Sequence, residues 1–279
     1  MEFDSDYRCD AEFSKLLTRR SNIDLTVAAL ELARDAYPDL NFCETLSWID
    51  AVGAEVAGPI AAAKTERDAL HVLAECIAGT RGITGDTETY CDPDNSYLNR
   101  VIERRRGIPI SLSLLYMAIA RRAGLTLSGV SAPAHFLTRF EAVDGPLFID
   151  AFCGGCLLSY DETLQRVCLA TGLPPSKCES LLEPVSARKI VIRMLNNLKA
   201  IYSQAENWPA AWMVQHRLVL LQPGSYCQRR DLGLIALRAD RPGQAIDMLQ
   251  NCLKTCPSEE TAPLTEQLAE ARRQLTRWN

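Results

Sequence analysis

Arg106-Gly107-Ile108-Pro109-Ile110-Ser111-Leu112-Ser113-Leu114-Leu115-Tyr116-Met117-Ala118-Ile119-Ala120-Arg121-Arg122-Ala123-Gly124 is the stretch whose reading decides the fold. Over residues 110–123 the pattern is helical and apolar on nearly every side, through Ile110, Leu112, Leu114, Leu115, Met117, Ala118, Ile119 and Ala120. Such a helix belongs at the centre of a core. Pro109 suits the first helical turn, where its missing N–H costs no hydrogen bond, and Gly124 stands where a left-handed residue ends a helix. Three short strand-like runs follow, at 127–131, 135–140 and 147–149, with turn signals at Ala132-Pro133 and Asp144-Gly145-Pro146. The pattern predicts a buried helix against a small antiparallel sheet.

Upstream, the chain reads as helices. Ser21 with Asp24 resembles a capping box with Asp in place of Glu, and Leu25, Ala28, Ala29, Leu32 and Ala36 then recur at helical spacing until Pro38. A second helix is expected over 44–57, stopped by Gly58-Pro59, and a third over 63–79 with Leu70, Leu73, Ala74 and Ile77 on one stripe. None is long enough to stand alone, so their apolar faces must be buried. A loop rich in Gly and Asp, from Gly82 to Asn95, leads to Ser96, which can cap a helix reaching about residue 105. The run Glu103-Arg104-Arg105-Arg106 reads either as a solvated face or as arginines that brace this loop.

Downstream there is a repeat. Pro223 and Pro257 stand 34 residues apart, and the same offset superimposes Leu198 on Leu232, Tyr202 on Ala236, Ala211 on Ala245 and Leu218 on Cys252. That period, with a small residue twelve before the terminal Pro, is the tetratricopeptide pattern of paired antiparallel helices. Lys199 departs from it where the second repeat has Gly233. Two repeats are too few for independent stability. The array is therefore expected to pack on the preceding domain through Trp208, Trp212 and Trp278, with a helix over 265–278 as its cap. The expected organisation is α+β: a helical layer over 1–95, a helix-on-sheet core over 96–185, and helical repeats over 187–279.

Composition limits what such a chain does. A net charge of −5 over 279 residues argues against nucleic acid as the partner. No apolar run approaches 18 residues, and the acidic start has no signal-peptide pattern. The expectation is a soluble cytoplasmic protein without membrane attachment. Eleven scattered cysteines make a poor disulfide framework and are expected free and mostly buried. Cys153-Gly154-Gly155-Cys156 lacks a second pair at zinc spacing, and with three histidines in all, no metal or cofactor is expected.

His135 and Asp150 lie fifteen residues apart on successive strand-like runs. Three readings stay open for them: a histidine that orders a strand end through the carboxylate, a ligand-binding histidine, and a catalytic histidine with its orienting acid. Ser96-Tyr97-Leu98-Asn99, Arg106-Gly107-Ile108-Pro109-Ile110-Ser111-Leu112, Pro133-Ala134-His135-Phe136 and Phe148-Ile149-Asp150-Ala151-Phe152, followed by Gly154-Gly155, together resemble the SirB-type transglutaminase-like family with its C-terminal tetratricopeptide region. The resemblance covers residues 20–279 and implies a papain- or transglutaminase-like core. It also implies that the triad His falls on His135 and the Asp on Asp150. The nucleophile slot, fifteen residues before the helix-ending Gly124, falls on Pro109.

A thiolate at a helix start is stabilised by the dipole and a nearby imidazole; proline supplies neither thiol nor hydroxyl. Substitute nucleophiles are Ser113, one turn beyond Pro109, Ser111, about 200° around the helix, and Cys153, three residues past Asp150. The primary expectation is a non-enzymatic regulatory or interaction protein that binds a protein partner through its repeats or the cleft near His135. The rival is a cryptic hydrolase or acyltransferase. Oligomeric state is not legible.

Overall fold

The computed structural model describes residues 7, 9–133 and 135–278, with side chains through Arg277. The chain divides into two compact units, one of Cys9–Lys15 with Arg20–Met194, the other of Leu195–Asn279 with Met1–Arg8 and Leu16–Arg19.

In the larger unit the helices are α1 (Ala11–Leu17), α2 (Leu25–Arg34), α3 (Phe42–Ala61), α4 (Glu66–Ala74), α5 (Leu98–Arg104), α6 (Pro109–Arg122), α7 (Tyr160–Thr171) and α8 (Pro175–Cys178). The opening residues of α1 belong to this unit and its end to the other. Helix α6 is the apolar segment, and Pro109 through Tyr116 are all buried. It is packed by α2, α3, α4 and α5 and by two strands of the sheet. Gly53 of α3 makes the tightest approach: a Cβ there would come within 2.2 Å of the Arg122 Cβ.

The sheet is β3 (Ser128–Val130), β4 (Leu137–Ala142), β5 (Gly145–Asp150) and β6 (Cys156–Leu158), antiparallel throughout and in sequence order. A separate parallel pair joins β1 (Thr84–Gly85) to β2 (Arg106–Gly107). One cluster of Val130, Leu137, Phe148, Leu158, Val167 and Leu182 packs the sheet against α7 and the segment after it.

Several boundaries differ from the pattern reading, each for a local reason. The α2 cap is Asp24, whose carboxylate accepts from Thr26 N–H at 2.9 Å and Val27 N–H at 3.2 Å, so Ser21 lies outside the helix. Helix α3 runs through Pro59, because one missing donor in the final turn is tolerated while Ala62 N–H closes on Gly58 O. The third helix widens into a π-turn over Glu75–Thr80. Ser96 ends a short 3₁₀ turn, and α5 starts after Tyr97. Strand β4 begins at Leu137, after a turn in which His135 N–H bonds Ala132 O at 3.2 Å. Strand β6 and helix α7, the latter opened by a Ser159–Glu162 capping box, add to the elements that the pattern suggests.

The second unit is helical. Helix α9 (Ala187–Gln204) supplies its first turns to the larger unit and the remainder here. Helices α10 (Trp208–Leu221), α11 (Tyr226–Arg238), α12 (Pro242–Leu253) and α13 (Ser258–Trp278) follow. Ala211 and Ala245 are wholly buried, and Gly233 sits against Leu249 and Met248, as close helix pairing requires. Lys199 is accommodated by an ion pair to Asp231 at 2.7 Å. Trp212 lies between the His216 ring, stacked at 5.2 Å, and the Arg241 guanidinium at 4.0 Å, while Arg238 covers Trp208 at 4.7 Å. These two rings are thus held by the array's own residues; the side chain of Trp278 lies outside the described residues.

No helix among the described residues is long and apolar enough to cross a membrane. The eleven cysteines are free thiols, but only Cys76, Cys178 and Cys252 are buried, contrary to the expectation of mostly buried ones. Substituting Gly53 by Val should drive α3 from α6 and lower stability by about 2–3 kcal/mol, read as a shift of the urea midpoint. An unchanged midpoint would show that the two helices do not meet there.

Candidate functional site

The site begins at the entrance to α6. Asp86, buried, accepts from Glu88 N–H at 3.0 Å and Thr89 N–H at 2.8 Å through Oδ1, and from the Thr89 hydroxyl at 2.6 Å and Asn95 Nδ2 at 3.0 Å through Oδ2. Its own N–H donates to Gly107 O at 3.0 Å. The Thr89 hydroxyl and N–H, then the Asn95 and Glu88 donors, outweigh burial and hold its carboxyl at about 2. The Asn95 carbonyl in turn accepts from Ile108 N–H at 3.2 Å and from the Ser111 hydroxyl at 2.5 Å. Arg104 pairs with Asp92 at 2.7 Å and Asp94 at 3.2 Å, and Arg100 with Asp94 at 3.0 Å. Arg100, which precedes the charged run, and Arg104 within it therefore brace the loop, whereas Arg105 and Arg106 are exposed, so each of the two readings of the run holds for part of it.

Pro109 is the first residue of α6 and is buried. Ser113 lies one turn further, about 40° away around the axis, and donates to Phe136 O at 3.3 Å. Ser113 thus ties α6 to the carbonyl of Phe136, the residue after His135. Ser111 points elsewhere: it bridges Asn95 O and accepts from Ile108 N–H at 3.2 Å, closing the first turn.

His135 precedes β4 and Asp150 ends β5, and the antiparallel register brings the two together with Nε2 to Oδ1 at 2.9 Å. Asp150 is buried, whereas the His135 side chain is 29% exposed. Burial alone would raise the Asp150 carboxyl, but the His135 hydrogen bond and charge, with the Cys153 donors, pull it below its ordinary value. Arg166 stands at 3.9 Å from the other carboxylate oxygen. Cys153 N–H donates to Asp150 Oδ1 at 3.2 Å, and burial together with the Asp150 charge pushes its thiol up. Cys153 is thus beside the acid and discouraged from becoming a thiolate.

The surroundings contain residues that the motifs did not single out. Phe152 meets the His135 ring edge-on at 6.3 Å and Tyr90 at 6.0 Å. Its position depends on Gly85, whose N–H bonds Phe152 O at 3.2 Å and whose missing Cβ would otherwise stand 2.6 Å from that oxygen. Arg193 of α9 reaches the same turn, donating to Ser131 Oγ, to Ala132 O at 3.0 Å and to His135 O at 2.7 Å. The one advance signal for Phe152 was its place in the Asp150 motif; Arg193, 58 residues from His135, gave none. Among the described residues, no cluster of His, Cys, Asp and Glu suited to a metal is present.

A buried helix packed on an antiparallel sheet that carries a His–Asp pair, followed by paired helices, defines a transglutaminase-like core with a tetratricopeptide module. The comparisons agree. The transglutaminase-like superfamily profile matches residues 44–196 and a tetratricopeptide profile residues 198–273. The chain is 36% identical to a UPF0162 protein of Xylella fastidiosa (strain Temecula1) over 85% of each chain. It is 25% identical to the protein SirB1 of Salmonella typhimurium over 73% of this chain and 75% of that one. With the mouse F-box only protein 21 it shares 33% identity over 42% of this chain and 19% of the relative. No solved structure matches it. The chain belongs to the transglutaminase-like superfamily and, within it, to the SirB-type UPF0162 group.

Two measurements check this geometry. Asp86 is held below its unfolded value of about 3.9, so its contribution is fully present above that pH and is lost as pH falls through about 2. The stability gap between the native chain and Asp86→Ala should therefore be constant near neutrality and shrink between about pH 4 and pH 2. A gap independent of pH would contradict the assigned hydrogen bonds. Separately, Pro109→Cys should place a thiol at the positive helix end beside His135. Its peptide should be alkylated by iodoacetamide roughly 10-fold faster than a thiol of ordinary pKa, with the excess lost on adding His135→Ala. Alkylation no faster than at Cys227 would show that residue 109 does not address the imidazole.

Proposed function

We propose that this protein is a non-enzymatic regulatory or interaction protein, in which a transglutaminase-like cleft and a tetratricopeptide array serve to bind a protein partner in the cytoplasm. The observation that carries the reading is Pro109, buried at the helix position where the family architecture calls for a nucleophile. The nearby hydroxyls do not replace it. Ser113 gives its proton to the Phe136 carbonyl and Ser111 to the Asn95 carbonyl. Nucleophilic attack needs a base in reach of the hydroxyl instead. Cys153 lies on the carboxylate side of the pair, where Asp150 opposes the thiolate. Six exposed free thiols fit a reducing compartment.

A second reading, a hydrolase or acyltransferase, draws on the His135–Asp150 contact, since an imidazole oriented by a buried acid is the arrangement of a general base. One experiment separates the two. The purified chain and its His135→Ala variant are treated with a fluorophosphonate and with a thiol-directed acylating probe, and labelled peptides are identified by mass spectrometry. The expected result is no fluorophosphonate adduct, and thiol labelling at exposed cysteines at the same rate in both proteins. An adduct on Ser111, Ser113 or Cys153 that disappears in His135→Ala would establish the enzyme.

A further inference from the structure

We infer that the rim formed by His135, Phe152, Tyr90 and Arg193 is a carboxylate-binding mouth that takes an acidic group next to an apolar or aromatic side chain; this rests on the interaction reading of the same cleft. The four side chains follow one another in space. His135 touches Phe152 edge-on, Phe152 touches Tyr90 edge-on, and Arg193 binds the His135 carbonyl. The Arg193 charge also reaches the Tyr90 phenol, which burial otherwise pushes up. His135 and Tyr90 keep surface open to solvent, 29% and 45% exposed, so this edge can be reached from outside.

The chemistry of the occupant follows from Arg193. A guanidinium carries five N–H donors. Three of them go to Ser131 Oγ, Ala132 O and His135 O. Those left are the Nε donor and one on Nη2, the pair that forms a side-on fork for a carboxylate. Among the described residues, no acid lies within ion-pair distance of Arg193. Other arginines of this unit near acids, such as Arg100, Arg104 and Arg139, are paired. Arg193 is half-buried, and loss of hydration disfavours its charge. A half-buried cation satisfied only by neutral acceptors gains from an incoming anion. A single fork fits a monoanionic carboxylate, and two aromatic rings beside it supply an apolar contact. Asp150 takes Nε2 of His135, leaving Nδ1 as the second polar group of the mouth.

The test uses the full chain labelled with ¹⁵N at its three histidines, whose ring correlations report binding. Four probes are compared: acetyl-Phe-Glu-amide, its neutral counterpart acetyl-Phe-Gln-amide, acetyl-Gln-Phe with a free C-terminal carboxylate, and acetate. The expected result is a saturable shift of the His135 ring with the acidic probes and none at His71 or His216, with the peptides binding more tightly than acetate. Comparison of the two acidic peptides tells a side-chain carboxylate from a chain terminus. Arg193→Gln should weaken binding by about 10-fold or more, roughly 1.4 kcal/mol. Tyr90→Leu, which leaves the Arg193 hydrogen bonds intact, should remove the advantage of peptide over acetate.

An equal response to the neutral peptide, no acid-dependent shift up to about 10 mM, or undiminished binding by Arg193→Gln would overturn the proposal. Cleavage of a bound peptide would instead overturn the non-enzymatic reading while supporting acid recognition.

Discussion

The constraint on which the larger unit depends is the need to bury helix α6 on all sides and still satisfy the backbone N–H groups where the chain enters it. Water cannot reach them, so the protein must supply acceptors. It does so with Pro109, which has no N–H, and with the Ser111 hydroxyl, which accepts from Ile108 N–H. The Asn95 carbonyl fixes both Ile108 and Ser111, and Asp86 fixes Asn95. The loop over residues 84–97 is therefore a scaffold made of hydrogen bonds that holds the helix start.

That solution bears on chemistry. At a helix start meant for a thiolate, positive dipole and imidazole converge on one atom. On the reading proposed above, Pro109 takes that place and improves the helix end instead. The His135–Asp150 contact persists on the sheet side, joined to Arg166 and Cys153 through the carboxylate. A polar pair of this kind, buried on the acid side and partly open on the imidazole side, is suited to recognising a group as well as to transferring a proton. On the proposed reading, Arg193 adds to this edge a cation three of whose donors are taken by neutral oxygens.

The repeat unit obeys a different logic. Its helices pair because Ala211, Ala245 and Gly233 leave room for neighbouring backbones, and Trp208 and Trp212 are covered by Arg238 and Arg241 of the same unit. Lys199 occupies a place where a small residue is usual, and it is tolerated because Asp231 meets it across the helix pair.

The sequence by itself determined the buried helix, since only the core accepts an apolar surface all round, and it determined the antiparallel runs and the 34-residue repeat. It also paired His135 with Asp150 through their motif spacing. Tertiary structure alone brought Arg193 of α9 to the His135 carbonyl, two residues before β4 begins. It decided that Ser111 serves the loop and Ser113 the Phe136 carbonyl, a difference of helical phase that acquires meaning only once the neighbours are present. The rim of Tyr90, Phe152 and Arg193 is assembled from segments over a hundred residues apart. Local periodicity reports which face of an element is buried; what that face meets is set by the packing of the whole unit.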